Sequence, residues 1–275
     1  MVEGTAMTEV SSTFPAFDAA CYERQMGRWS RRLAPKFIDF SGVAAAERVL
    51  DVGCGTGSLS YALAENPRIG TVHGIDFAPA YVEHATRSKR ESRVNFRVGD
   101  ACDLPFPDGW FDHSLSMLVF QFIPDPMRAV REMRRVTRSG GTVAATTWYT
   151  RGGLIIQRMF FDTAAVIDPV AADWRARTCA RPVSLPDGLA RLWRDAGLID
   201  VVQDSMAIQM EYSSFDDFWT SIAGTDGPYA AYLTTLAANA RSKLRGLIES
   251  AYLDGDPDGA RSYMAAAWAV RGRVP

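Results

Sequence analysis

Three glycines stand within five positions directly after an apolar run, in "RVLDVGCGTGSLS" (residues 48–60). Gly53, Gly55 and Gly57 carry no Cβ, so a ligand can approach the main chain closely. The alternative is a tight turn that needs only positive φ angles. In doubly wound sheets, a glycine-rich turn between the first strand and the first helix binds nucleotide-like ligands. The stretch therefore marks a candidate ligand site.

Two acidic residues near the glycine turn, Asp51 and Asp76, indicate which kind of ligand it could bind. Asp51 precedes the glycines by two positions, and Ser58 stands where the dinucleotide fingerprint G-x-G-x-x-G has its third glycine. An acid beside the loop would repel a pyrophosphate and would suit a cationic ligand. Asp76 ends the next strand-like run about 20 residues further on, where a ribose-binding acid is expected. Its alternative role is to cap the helix that begins near Pro79.

The elements that must position these residues alternate between short apolar runs and helical stretches. We predict strands at 48–53, 71–76, 94–100, within 110–122 and at 140–148, with helices at 58–67 and 78–92 and from 125 onward. The last of these helices has an apolar stripe and is predicted to end at Gly140-Gly141. This alternation is typical of βαβ units in a parallel sheet with both faces covered.

The remaining chain departs from that rhythm. Residues 151–185 are predicted to be irregular, and residues 212–258 to be helical. Between them we expect a helix, a glycine stop and a strand, and a final strand at 262–273. Six aromatic residues of these regions could line a cavity for an organic acceptor, form the core of a cover or lie in an oligomer interface: Phe160, Phe161, Trp174, Phe215, Phe218 and Trp219.

Composition excludes several function classes. The chain has 275 residues, a net charge of −2 and four cysteines without paired spacing. This balance argues against a nucleic-acid partner, and the cysteine spacing argues against a disulfide framework or a metal site. No apolar run approaches the roughly 20 residues of a membrane span, and the first residues do not resemble a signal peptide. We therefore expect a cytoplasmic protein.

"VLDVGCGTG" resembles the first motif of the class I S-adenosylmethionine-dependent methyltransferases, in the small-molecule branch of ubiquinone and menaquinone (type 11) methyltransferases. "VGDACDLPFPDGWFD" (98–112) resembles the adenine-binding stretch of that family. The resemblance is specific from about 46 to 148. It implies an α/β fold with a doubly wound, mostly parallel, seven-stranded Rossmann-like sheet and helical cap insertions. The implied strand order is 3-2-1-4-5-7-6, with the last strand antiparallel.

The same resemblance implies a set of site residues. The cofactor would be S-adenosylmethionine, with S-adenosylhomocysteine as product, Asp76 on the ribose and Asp100 on the adenine amino group. Its predicted contacts are Tyr22, Asp51, Gly53, Cys54, Gly55, Gly57, Asp76, Phe77, Asp100, Ala101, Cys102, Met117 and Leu118. Predicted substrate contacts are Phe122, Trp148, Tyr149 and Arg158. Arg28 and Trp29 could close over the site, and Gln121-Phe122 replaces the histidine pair of many relatives.

We expect a single methyltransferase domain over 1–275. Its parts are an N-terminal helical cover (13–45), a cofactor-binding core (46–150), cap insertions (151–185 and 212–258) and a terminal helix and strands (186–211 and 259–275). The predicted function is methyl transfer to a small molecule by in-line displacement, mainly by positioning, with no catalytic residue identified. The alternatives are a non-enzymatic S-adenosylmethionine-binding regulator and, disfavoured by Ser58, an NAD-dependent oxidoreductase. A homodimer is left open.

Overall fold

A single seven-stranded sheet organises the computed structural model, which describes residues 12–88, 91–179 and 181–275. Its strands are β1 (Ala46–Val52), β2 (Ile69–Asp76), β3 (Val94–Val98), β4 (Phe111–Met117), β5 (Thr137–Trp148), β6 (Ile199–Tyr212) and β7 (Arg261–Arg273). The spatial order is β3-β2-β1-β4-β5-β7-β6. All neighbouring strands pair in parallel except β7, which is antiparallel to both β5 and β6. The predicted order and direction are confirmed.

Helices cover the sheet and extend beyond it. They are α1 (Ala19–Tyr22), α2 (Arg28–Ser41), α3 (Ser58–Ala64), α4 (Pro79–Arg87), α5 (Pro126–Val136), α6 (Ile155–Ile167), α7 (Pro169–Cys179), α8 (Gly188–Asp195), α9 (Phe215–Ile222), α10 (Gly227–Leu233) and α11 (Ala238–Leu253). A π-helical turn, Glu23–Gly27, joins α1 to α2. Within the described part of the chain, no helix has both the length and the apolar character that a membrane crossing requires.

Helices bury both faces of the central part of the sheet, because the sequence supplies apolar stripes on each side. On one face, Leu33 and Phe37 of α2 belong to a cluster that also includes Leu63 of α3. On the other face, Met133 of α5 and Trp193 of α8 pack together in a second cluster. In this central part of the sheet a ligand can therefore reach only the strand ends, whereas the outer strand β6 keeps exposed side chains such as Ile199 and Val202.

The end of α5 differs from the prediction. The helix ends at Val136, and β5 begins at Thr137, so Gly140 and Gly141 lie inside a strand. The β4–β5 register shifts here, Gly140 has a φ of +74°, and a Cβ on Gly141 would lie 2.3 Å from the Asp112 carbonyl oxygen. These glycines therefore serve an irregularity of the strand and do not terminate the helix.

Residues 151–185 are also more regular than predicted. They form α6, α7 and a 3₁₀ turn at Pro182–Ser184. The prediction was wrong because α7 is built largely of small and charged residues and has no stripe of large apolar side chains. The helical prediction for 212–258 agrees with the structure, which has α9, α10 and α11 in that region.

One buried carboxylate connects the segment before α1 to the cap helices. Asp226, which is fully buried, accepts hydrogen bonds from the main-chain N–H groups of Phe17 and Asp18 at 3.1–3.2 Å. The Tyr81 hydroxyl of α4 donates to the same carboxylate at 2.6 Å. Asp226 thus links three segments that are distant in the sequence.

Replacing Asp226 by Ala should lower the free energy of unfolding by about 3 kcal/mol, because several buried donors lose a charged acceptor at once. Urea unfolding followed by circular dichroism measures this loss. Tyr81→Phe is the control, since it removes one donor only and should cost about 1 kcal/mol. Equal losses in the two variants would contradict the assignment of the carboxylate as the shared anchor.

Candidate functional site

The glycine turn between β1 and α3 needs bare backbone at each of its three glycines. Gly53, Gly55 and Gly57 have φ angles of +74°, +53° and +91°, which side chains disfavour. A Cβ on Gly53 would lie 2.4 Å from Val119, and one on Gly57 would lie 2.9 Å from Tyr61. Gly53 and Gly57 are therefore required both by their positive φ angles and by the lack of space for a Cβ, and Gly55 by its φ angle.

Asp76 joins the end of β2 to this turn. Its Oδ2 accepts from the Gly55 N–H at 2.8 Å and its Oδ1 from the Ala78 N–H at 2.9 Å. Burial raises the pKa of Asp76 to about 6, although these main-chain bonds lower it. The residue at the N-cap of α4 is Ala78, so Asp76 is not the helix cap that one alternative suggested.

Tyr22, at the end of α1, covers the turn. Its hydroxyl oxygen lies 3.7 Å from the position that a Cβ on Gly55 would take, and its ring centroid is 4.9 Å from that of Tyr81. The π-helical turn follows directly, and its first residue, Glu23, accepts a hydrogen bond from the Thr56 hydroxyl. Burial raises the pKa of Tyr22 to about 12, so it is a neutral phenol.

Two adjoining cavities lie at this end of the sheet. The first, here the loop cavity, has a volume of about 450 Å³ including its open mouth. The second, here the cap cavity, has about 640 Å³ measured in the same way. The residues common to both are Phe14, Tyr22, Leu118 and Phe122. These four residues therefore lie at the boundary between the two cavities.

The loop cavity brings together seven of the predicted cofactor contacts. These are Tyr22, Gly53, Gly55, Asp76, Phe77, Met117 and Leu118. Gly57 and Cys54 hold the turn from outside the cavity lining. The predicted adenine contacts Asp100, Ala101 and Cys102 do not line it either, and Asp100 Oδ1 accepts from the Cys102 N–H at 2.8 Å. Their contact with a cofactor remains a prediction.

The predicted substrate contacts divide into two pairs. Phe122 and Trp148 line the cap cavity. Tyr149 packs against Trp268 with ring centroids 5.0 Å apart, and Arg158 forms an ion pair with Asp162 at 2.8 Å. Neither of this second pair lines the cavity. Successive side chains at the end of a strand point to opposite sides, which separates Tyr149 from Trp148.

Other predicted cover residues pack elsewhere. Arg28 pairs with Asp217 at 2.9 Å, and Trp29 is buried against Tyr212, so neither closes over the cavities. The six aromatic residues of the cap regions do not line the cap cavity. The five of them that are buried belong to the hydrophobic core that also contains residues of the sheet, so they pack as core and do not line an acceptor site.

Much of the cap-cavity lining was not predicted. It includes Gln25, Met26, Thr150, Leu154, Gln157, Thr178, Arg181, Pro228 and Tyr229. These residues come from separate segments, and none of them is among the predicted contacts. A lining of this kind is formed by tertiary packing, so no local sequence pattern predicts it.

Asp51 supports the turn from below and does not line either cavity. Its Oδ2 accepts from the Ser60 hydroxyl of α3 at 2.6 Å, and its Oδ1 has no hydrogen-bond partner among the described residues. Burial, together with the nearby Asp76, raises the pKa of Asp51 to about 7, although the Ser60 hydrogen bond lowers it. Asp51 thus packs next to the glycine turn and lines neither cavity.

Comparison with known proteins agrees with this geometry. Residues 50–145 match a family model described as a methyltransferase domain. The chain is 31% identical over 175 residues to a demethylmenaquinone methyltransferase of Geobacillus kaustophilus, which covers 58% of this chain and 74% of that protein. It is 32% identical over 144 residues to an aklanonic acid methyltransferase of Streptomyces, covering 50% of this chain and 66% of the relative.

Solved structures show the same fold. A phosphoethanolamine N-methyltransferase 2 of Haemonchus contortus, in complex with S-adenosylmethionine, aligns with a TM-score of 0.57 at 16% identity. The alignment covers 94% of this chain and 57% of that one, so this chain spans little more than half of that protein.

Asp51→Asn should stabilise the protein at pH 8 by about 2 kcal/mol, because it removes a buried charge and keeps an acceptor for Ser60. The folded-state pKa of about 7 exceeds the ordinary value of 3.8. Between these values the folded state holds a proton that the unfolded state has lost, so wild-type stability falls as the pH rises. The advantage of the variant should therefore shrink towards pH 4. Urea unfolding at both pH values tests this, and an advantage independent of pH would contradict it.

Proposed function

This chain belongs to the class I S-adenosylmethionine-dependent methyltransferases of type 11, and from that premise we propose that the loop cavity holds the methyl donor and the cap cavity the small-molecule acceptor. The observation that supports this most is the contact between the Gly55 N–H and the Asp76 carboxylate, 2.8 Å long, at the cavity wall. This contact brings the Asp76 carboxylate and the main chain of Gly55 together at the carboxyl ends of β1 and β2.

The residues present suit the donor. The Asp76 carboxylate has acceptor capacity beyond its two main-chain bonds and would receive the ribose hydroxyls. Gly53 and Gly55 leave the main chain open to the methionine part, and Met117 and Leu118 supply apolar contact at the end of β4. When bound, S-adenosylmethionine supplies a methyl group activated by positively charged sulfur. Asp51, Cys54, Gly57 and the Asp100–Cys102 stretch are proposed as supporting contacts.

The chain's own contribution to the reaction is position. Tyr22 and Leu118 line both cavities and would hold the two reactants against each other while water is excluded. Effective molarity in well-oriented systems is worth roughly 7–11 kcal/mol. A regulator without activity is not favoured by the relatives, which are named methyltransferases.

Three further proposals concern the whole chain. The N-terminal cover (13–45) and the cap insertions (151–185 and 212–258) enclose the acceptor, and together with the core they form one domain. A cytoplasmic location is supported by the four cysteines, which are free and buried. A homodimer stays a prediction, which light scattering of the purified protein would test.

Asp76→Asn should weaken the binding of S-adenosylhomocysteine by about tenfold to a hundredfold, since hydrogen bonds to a charged acceptor contribute about 1.5–3 kcal/mol. Wild-type affinity should fall as the pH drops through about 6, where the carboxylate takes up a proton. The variant should lack this step. Isothermal titration calorimetry from pH 8 to pH 5 measures both effects.

Asp204→Asn is the matched control, because Asp204 is an exposed carboxylate on β6, away from both cavities. Its affinity should equal that of the wild type. In thermal-shift measurements, S-adenosylmethionine and S-adenosylhomocysteine should raise the melting temperature and NAD should not. Stabilisation by NAD alone, or an unchanged affinity in Asp76→Asn, would contradict the proposal.

A further inference from the structure

The cap cavity has an unusual distribution of charge. Its polar lining consists of neutral amides and hydroxyls, and Arg181 is the one charged side chain among the described residues that line it. No aspartate, glutamate, histidine or lysine belongs to that lining. A cationic acceptor would therefore find no counter-charge in the cavity.

Arg181 lacks a carboxylate partner within the described part of the chain. Its Nη1 donates to the Gln121 carbonyl, its guanidinium lies 5.2 Å from the Phe122 ring centroid, and no hydrogen bond from its Nη2 is found among the described residues. Burial lowers the pKa of Arg181, which nevertheless stays protonated. A half-buried cation without a counter-charge gains most from an anion that enters beside it.

Two neighbouring side chains also have unmet hydrogen-bonding capacity. Gln121 and Thr150 both line the cap cavity, are less than one-tenth exposed, and carry Oε1 and Oγ1 atoms without a partner among the described residues. The remaining walls are largely apolar and include the rings of Phe14, Phe122 and Trp148. The cavity thus combines a largely apolar, partly aromatic lining with a few polar groups and one cation.

Resting on the proposed function, we propose that the acceptor is a planar organic acid bound as its anion, with its charged oxygen paired to Arg181. Acidic phenols and carboxylic acids share this chemistry. The ring system would lie among Phe122, Trp148 and their neighbours, where aromatic side chains favour a flat partner. Arg181 acts here as a binding residue and sets the preference for negative charge.

An ionised acceptor also agrees with the lining of the cap cavity, whose described residues include no side chain that could act as a general base. The two tyrosines of the lining, Tyr22 and Tyr229, have pKa values raised by burial and remain neutral. The acceptor anion uses its own electron pair to form the bond to the methyl carbon, while the carbon–sulfur bond breaks and its pair stays on sulfur. The products are neutral at both centres, and no proton has to be removed.

Binding to the S-adenosylhomocysteine-loaded protein tests the inference with four probes of one ring size. They are 1-naphthoate, 2,4-dinitro-1-naphthol as its anion, the neutral 1-naphthalenemethanol and the cationic 1-naphthylmethylammonium. Calorimetry is first used to establish binding of S-adenosylhomocysteine itself, and failure at that step is a failure of the proposed function. Where it binds, we expect at least one of the two anions to bind about tenfold more tightly than the alcohol, and the ammonium to bind least. The stronger anion identifies a carboxylate or a phenolate as the preferred source of the charge.

Arg181→Gln should lower the affinity for the anions about tenfold and leave that for the alcohol and for S-adenosylhomocysteine unchanged. Arg177→Gln is the matched control. Arg177 is an exposed arginine nearby in the chain, its guanidinium lies 5.1 Å from the Trp174 ring centroid, and it does not line the cavity. This variant should keep the preference for anions.

Three outcomes would overturn the inference once S-adenosylhomocysteine binding has been established. One is tighter binding of the alcohol or the ammonium than of both anions. Another is an equal loss for charged and neutral probes in Arg181→Gln, which would indicate a structural role alone. The third is binding of none of the four probes, since the cavity is expected to take a flat two-ring acid.

Discussion

A buried hydrogen bond from the Gly55 main chain to the Asp76 carboxylate is the constraint on which the site depends. It holds the glycine turn after β1 against the end of β2, at the carboxyl ends of two neighbouring inner strands. Burial makes this carboxylate harder to ionise, and its two main-chain donors offset part of that cost. The protein therefore keeps a poorly solvated acid where the donor's ribose would satisfy it.

The two cavities differ in the sign of the charged side chains that line or adjoin them. On the loop side are Asp76 and the nearby Asp51, both acidic, and on the cap side is Arg181. An acidic surrounding suits a sulfonium, and a cationic group suits an organic anion. Tyr22 and Leu118 stand between the two sides as uncharged neighbours. If a cationic donor lies on the loop side and an anionic acceptor on the cap side, as proposed, no base has to remove a proton from the acceptor.

The parts of the fold that could be predicted carry their signal locally. The glycine turn, Asp76 and the alternation of strands and helices lie within short stretches, and the strand order follows from the resemblance that those stretches carry. The cap cavity could not be predicted, because Gln25, Thr150 and Arg181 come from three distant segments. Arg158, predicted as a substrate contact, pairs with Asp162 one helical turn away, and a sequence pattern alone does not distinguish that pairing from a ligand contact.

The family model matches different shares of the two cavity linings. The family model covers residues 50–145, which hold Gly53, Asp76 and Met117 of the loop cavity. The cap-cavity residues Thr150 and Arg181 lie outside it. The family model therefore covers more of the loop-cavity lining than of the cap-cavity lining. The acceptor has to be inferred from this chain's own cap, where a guanidinium without a carboxylate partner, within the described residues, faces an otherwise neutral cavity.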